Sequence, residues 1–437
     1  MLCGGSAPMS EPPPVSAPLV SAPDPTLAAR AQRAPARSGP RRARLAIVSS
    51  HPIQYAAPLY AHLSRDPELH LTVLYCSDSS LRGERDPGFG ERFAWDVDLL
   101  AGYDSVFLGQ RHRTRTPGGF WSLVCPELVR EIRRQRYDVV WVHGQQFAAD
   151  VLAFALAKLR GLPVLTRGDT HLDLPSPALK RLLRRSVLGL QYRHIDGFLA
   201  VGSKNHDYYR ALGVPAARIF RVPFSVDNAR FGQQARLSAD ERRAGRARLG
   251  VHDERPILLY ASKLMPRKHP DDLLRAAAKL LGRGHALSVV VAGSGEMAAE
   301  LQELARGLEL GAHVSFAGFV NQSELPALYG SCDVFVLPAR HEPWGLVVNE
   351  VMNAGLPLVL GAGVGSAADL LQPGVNGLAC EAGDAVSLAA ALEPLVSDVE
   401  LRRRMGEASR RIIAAWDYEQ CRLGVRAALA SLGLMSP

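Results

Sequence analysis

Short apolar runs alternate with helix-spaced segments along most of the chain. Leu45–Val48, Leu71–Cys76, Val139–Val142, Val164–Thr166 and Phe198–Val201 are continuous apolar stretches. Runs of this length suit strands buried on both faces of a parallel sheet. Phe147–Leu159 and Lys204–Leu212 lie between them with helical periodicity. A second series follows Arg230, with strands predicted at Ile257–Ala261, Leu287–Ala292, Val314–Ala317, Val334–Leu337 and Leu358–Leu360. Its predicted helices are Asp271–Leu281, Met297–Leu308, Glu324–Tyr329 and Trp344–Ala354, and a last helix covers roughly Tyr418–Leu432. Strand–helix alternation implies parallel sheets with helices on both faces. Two such series, joined by Val222–Asp227, predict two α/β lobes. Sites in such sheets lie beyond the carboxyl ends of the strands, so chemistry is expected in a cleft between the lobes.

Composition narrows the picture. Of 437 residues, 47% are hydrophobic and 22% charged, which supports two buried cores. The net charge of +8, mostly from arginine, suits an anionic partner. Residues 1–40 are rich in Pro, Ala and Ser and bury too little to offset the entropy of ordering. They are read as a disordered tail ending in Arg37, Arg41, Arg42 and Arg44. No apolar run reaches the roughly 18–20 residues of a membrane-spanning helix. The N-terminus lacks the basic start and apolar stretch of a signal peptide, so a cytoplasmic chain is expected. The six cysteines are scattered without zinc or C-x-x-C spacing and read as reduced thiols.

The most informative segment runs from Pro338 to Glu350: P-A-R-H-E-P-W-G-L-V-V-N-E. A strand ends, a turn follows, and a helix is predicted to start near Trp344, with Pro343 at its first turn. A helix start offers unpaired N–H groups and about half a positive charge. The N–H groups of Gly345 and Leu346 are therefore candidates to hold a diphosphate. Glu342 stands on the turn, and Glu350 lies eight residues later, about two helical turns on. E-P-W-G followed by N-E-x-M-x-x-G-x-P resembles the E-x7-E motif of family 4 retaining glycosyltransferases, which have the GT-B fold.

That resemblance implies two Rossmann-like lobes, 41–228 and 229–416, with the C-terminal residues from about 417 to 437 crossing back to the first lobe. It implies that Glu342 holds hydroxyls of a donor sugar and Glu350 the ribose of a nucleotide. In the family an arginine after a strand, and a lysine five residues later, grip the donor diphosphate. The matching positions here are Lys263 and Lys268, in S-K-L-M-P-R-K. Lysine at 263 keeps the charge but lacks the bidentate fork, and Arg267 is a candidate to share the load. The implied transfer retains configuration and needs neither cofactor nor metal, the nucleotide-sugar being a co-substrate.

Gly293 and Gly295 open a helix as G-x-G-x-x-A, a pattern that alone suggests a dinucleotide site. The next strand ends in Phe316-Ala317-Gly318-Phe319, without the acidic residue a dinucleotide ribose requires. These glycines therefore read as a close backbone approach to the nucleotide, or equally as tight helix–sheet packing. In the first lobe His51, Gln54 and Tyr55 follow strand one, where family members often carry a glycine-rich loop. They are candidates for acceptor hydroxyls, as are His143, Arg167, Asp169 and His171 at later strand ends; structural turn roles are an equal reading. Lys180, Arg181, Arg184, Arg185 and Arg193, interleaved with leucines, form a basic amphipathic pattern. It fits a lobe-surface helix or peripheral contact with anionic lipid, the latter suiting a lipid-linked acceptor as well as glycans or small molecules.

Two other functions remain open at this point. An inverting transferase or nucleotide-sugar epimerase of the same fold would use His51, His143 or His171 as base. A non-catalytic binder of nucleotides or anions would use the same scaffold. Nucleic acid is not expected, because the basic residues carry no interleaved aromatics or recognised motif.

Overall fold

The computed structural model describes residues 42–83, 94–108, 117–134, 136–174 and 188–436. The expected tail and Lys180, Arg181, Arg184 and Arg185 of the basic segment lie outside them. Thirteen parallel strands form two sheets among the described residues. The first contains β1 (Ala43–Ser49), β2 (Leu69–Tyr75), β3 (Asp104–Phe107), β4 (Val139–Val142), β5 (Val164–Gly168), β6 (Gly197–Ala200) and β7 (Ile219–Arg221). Their order is β3-β2-β1-β4-β5-β6-β7. The second contains β8 (Ile257–Ala261), β9 (Ser288–Ala292), β10 (Val314–Gly318), β11 (Val334–Leu337), β12 (Leu358–Gly361) and β13 (Gly377–Cys380), in the order β10-β9-β8-β11-β12-β13.

In both sheets the chain reverses its direction of strand addition once, between β1 and β4 and between β8 and β11. A crevice opens at such a switch point, where the two flanking crossovers leave on opposite faces. Four loops therefore line the cleft: Ser50–Ala56, the turn after Val142, Ser262–Lys268, and Pro338–Leu346. Each follows a strand whose side chains are buried, so its first residues emerge at a fixed height.

The interior strands are those whose apolar runs were continuous. The reading from sequence missed β3, β7 and β13, all of them sheet edges. Edge strands have a partner on one side only and carry less apolar sequence. β3 reads Asp-Ser-Val-Phe and alternates exposed with half-buried positions, so no run marks it.

The C-terminal helix Tyr418–Ser431 leaves the second lobe and packs on the first. Cys421, Val425, Ala428 and Leu429 join the same core as Leu45, Ile47, Leu71 and Trp141. Cys421 Sγ donates to the Pro223 carbonyl at 3.0 Å, fixing the helix to the buried linker. At its far end Arg422 and Arg426 donate to Asp66 at 2.8 and 3.0 Å. Burial disfavours the Asp66 carboxylate. Hydrogen bonds from Arg422, the Glu68 N–H and Arg426 outweigh it and hold Asp66 below its ordinary pKa. Asp66→Asn is expected to cost about 2–3 kcal/mol at pH 7, the scale of hydrogen bonds to a charged group. A depressed carboxylate contributes stability above its unfolded pKa and loses it as pH falls through the folded value. The wild-type advantage should thus shrink below about pH 5 and vanish in stronger acid. Urea melts of both proteins between pH 3 and 7 check this; a constant difference would contradict it.

Candidate active site

The expected donor residues stand at the ends of β8 and β11, which pair directly. After β8 the chain makes a short turn, Pro266–Lys268, and this brings Lys268 back under the strand ends. Its ammonium is buried, donates to Ser262 Oγ at 2.6 Å, and pairs with Glu342 at 2.7 Å. Burial pulls its pKa down, and the Glu342 charge opposes that. Arg267 straps the same loop from outside. Its carbonyl accepts the N–H of Arg340, and its guanidinium donates to the His341 carbonyl and reaches Glu342 at 3.5 Å. Lys263 sits close enough for its charge to act on Lys268. Two cations, Lys268 and Arg267, thus meet one carboxylate at the mouth of β11, with the Lys263 charge nearby.

Glu342 is fixed through its backbone. Its N–H donates to Gly363 O, and its carbonyl accepts the N–H of Gly365. A Cβ on Gly365 would lie 1.9 Å from the Pro343 carbonyl oxygen, so only glycine allows this contact. Gly293 and Gly295 are of the same kind. At φ +134 and +152, with a Cβ 2.0 Å from Ser262 O and 2.5 Å from Leu264 O, they let the β9 loop lie against the lysine loop. Their observed role is this close packing.

The helix starts later than the sequence suggested, at Val347 rather than near Trp344. Pro343 lies before it, not in its first turn. Gly345 adopts φ +84, which turns the chain into the helix, and Trp344 is buried instead of opening it. Among the described residues, the N–H groups of Gly345 and Leu346 donate to no other residue. They lie on the chain entering the helix N-terminus, three and four residues beyond Glu342.

Glu350, in the same helix, accepts from Tyr329 OH at 2.6 Å. Burial raises its pKa to about 7, against the Tyr329 hydrogen bond and the Arg230 charge. Arg230 is itself held by Gln322 at 2.9 Å.

The first lobe contributes a cavity of about 180 Å3 between β1, β4 and β5. Of the expected acceptor residues, Tyr55, His143, Arg167 and Asp169 line it. His143 meets Tyr60 OH at 2.8 Å, and burial with the Arg167 charge lowers its pKa to about 3. Asp169 has its pKa raised by desolvation and by Glu342 facing it across the cleft.

The remaining three expected residues stand outside that cavity. His51 Nδ1 pairs with Ser50 Oγ at 2.9 Å, the turn role weighed for it, and Gln54 is half-buried on the same loop. His171 is buried beside Asp173 and Lys204, and burial lowers its pKa. Arg167 also has structural work. Its Nη2 donates to the Val222 and Pro223 carbonyls at 3.1 and 3.0 Å, and its guanidinium lies 4.9 Å from the Phe224 ring centre.

The model described as "Glycosyl transferases group 1" matches residues 241–412, and "Glycosyl transferase 4-like domain" matches residues 53–225. The chain belongs to this glycosyltransferase family.

The D-inositol 3-phosphate glycosyltransferase of Geodermatophilus obscurus is 30% identical over 298 residues, covering 66% of this chain and 60% of that protein. The GDP-mannose-dependent alpha-(1-6)-phosphatidylinositol monomannoside mannosyltransferase of Mycobacterium tuberculosis is 31% identical over 251 residues, covering 56% and 62%. The matches thus span less than two thirds of these relatives. Anabaena Alr3699/HepE, solved with UDP, superposes at TM-score 0.69 with 18% identity, covering 90% of this chain and all of that one. The likeness establishes the two-lobed GT-B fold. No described helix of this family member is long and apolar enough to cross a membrane.

Several residues around the site escaped the sequence reading. Tyr329, Arg230 and Gln322 surround Glu350 from distant segments, and no local pattern links them. Asp150 lines the first-lobe cavity, where it interrupts a largely apolar helix. Its carboxylate accepts the Phe147 N–H at 3.0 Å, but phenylalanine has no side-chain acceptor to complete a capping box, so no local pattern marked it.

Proposed function

We propose that the chain transfers a sugar from a nucleoside-diphosphate donor to a hydroxyl acceptor with retention of configuration and without a divalent ion. The observation that carries this is the pairing of Lys268 and Arg267 with Glu342, with Lys263 close to Lys268, beside the unengaged N–H groups at Gly345 and Leu346. The diphosphate of the donor would lie against these cations and N–H groups, and Glu342 would hold sugar hydroxyls. Positive charge aimed at a leaving diphosphate stabilises the transition state more than the ground state. The departing phosphate oxygen would accept the proton of the acceptor hydroxyl. His143, with its pKa lowered to about 3, is a weak base, which favours this route over an inverting one that depends on it. The UDP of the Anabaena structure and the GDP-mannose dependence of the Mycobacterium relative point to the donor class.

Thermal melts with UDP, GDP and ADP test the reading. A nucleotide present at 100 times its Kd should add about 2.7 kcal/mol of stability. The absence of a shift with all three would overturn the proposal.

Glu350 gives a pH signature. A carboxylate that accepts two ribose hydroxyls is favoured in its ionised form, so nucleotide binding should release a proton. Affinity should therefore rise with pH through about 7, the value to which burial raises Glu350. Glu350→Gln should flatten that dependence. Isothermal titration between pH 5.5 and 8.5 checks it, and an unchanged slope in the variant would remove Glu350 from this role.

A further inference from the structure

The first-lobe cavity brings together charged groups that the donor does not require. Asp150 and Asp169 both line it, opposite a single guanidinium, that of Arg167. Arg167 is not free to receive an anion end-on: one nitrogen is committed to two linker carbonyls, and Phe224 lies against the guanidinium. Its Nε is buried with no hydrogen-bond partner among the described residues. Asp150 is 4% exposed, and burial raises its pKa to about 7 against backbone N–H groups of Phe147 and Gln146. The wall therefore offers one orphan N–H donor and carboxyl acceptors within one small space. A hydroxyl both donates and accepts, and so satisfies both kinds of partner. A phosphate only accepts, and it would face two carboxyl groups. Ser49 and Ser50 add hydroxyls, and Tyr55 and Phe224 supply aromatic surface of the kind that covers a sugar ring.

We propose that this cavity seats an uncharged, hydroxyl-rich ring of the acceptor, a sugar or cyclitol, and selects against its phosphorylated form. The proposal rests on the transfer reading for its meaning, but the binding it describes needs no donor. A phosphate-bearing acceptor is the opposite chemistry, and one relative is described by such a substrate, D-inositol 3-phosphate. Charge is what separates the two. Like charges brought together at an interface cost enough to reject a partner.

The test is ligand-observed NMR on the full chain without nucleotide. The probes are myo-inositol and methyl α-D-glucoside against inositol 3-phosphate and glucose 6-phosphate. At least one neutral probe should bind, and its phosphorylated counterpart should bind about tenfold more weakly or worse. Asp150→Asn keeps the shape and removes a negative charge, so it should narrow that gap. Gln146, exposed at the rim, supplies the location control: Gln146→Trp should abolish binding of the neutral probe and leave UDP or GDP binding unchanged. Equal or tighter binding of the phosphorylated probes would overturn the proposal, as would no binding of any probe. Neither outcome touches the donor assignment, which stands or falls on the nucleotide melts.

Discussion

A Lys268→Ala variant is expected to transfer sugar roughly 10²–10³ times more slowly than the wild type, a loss of about 2.7–4 kcal/mol of transition-state stabilisation. Lys268 is nearly excluded from water and hydrogen-bonds Ser262 and Glu342 at once. A charge in that position acts through a low dielectric, where it is worth more than on a surface. In the proposed docking its field would be strongest where a leaving diphosphate gains charge, so the loss should appear mainly in kcat. Removing it also leaves Glu342 without its closest cation, so Lys268→Ala and Glu342→Gln should be far from additive. Steady-state kinetics on the two single variants and the double variant measure this. A Lys268→Ala enzyme with kcat within a factor of about three of the wild type would show that the diphosphate docks elsewhere.

Trp344→Ala is expected to destabilise the chain by about 3–5 kcal/mol, the usual range for removing a large buried aromatic. The indole packs between Phe224 of the linker and Trp416, each ring centre 5.6 Å away. Its Nε1 donates to Asn349 Oδ1 at 2.9 Å, and Asn349 Nδ2 donates to the Phe224 carbonyl at 3.0 Å. Gly202 of the first lobe leaves room for it, since a Cβ there would fall 2.3 Å from the ring. Trp344 therefore joins the helix Val347–Ala354, the linker and the first lobe at one point. The variant should melt at a lower temperature, and its two lobes should lose cooperativity and unfold in two resolved calorimetric steps. A single transition within 2 °C of the wild type, far below the shift of several degrees that such a loss implies, would contradict the junction role.

These two residues show how differently the sequence and the fold contributed. Lys268 was legible because its chemistry is local. A basic turn after a strand, and a carboxylate after a neighbouring strand, mark the same sheet end whatever the remaining packing. Trp344 was misplaced because its role is not local. Read along the chain it stood at a helix start, but its partners Phe224, Trp416 and Gly202 lie 120, 72 and 142 residues away. Arg167 carries the same lesson: a charged residue at a strand end suggested substrate, and the linker carbonyls claimed most of it.

What the sequence alone determined is the set of interior strands and the division into two α/β lobes, because apolar runs are fixed by near neighbours, and strand-end turns marked Glu342, Lys263 and Lys268 as candidates for the same local reason. What only the tertiary structure decided is which side chains meet: the cavity of Asp150, Tyr55 and Asp169, the Tyr329–Glu350 pair, and the edge strands β3, β7 and β13. Those contacts are set by how buried faces fit across large separations in sequence, and no periodicity records them.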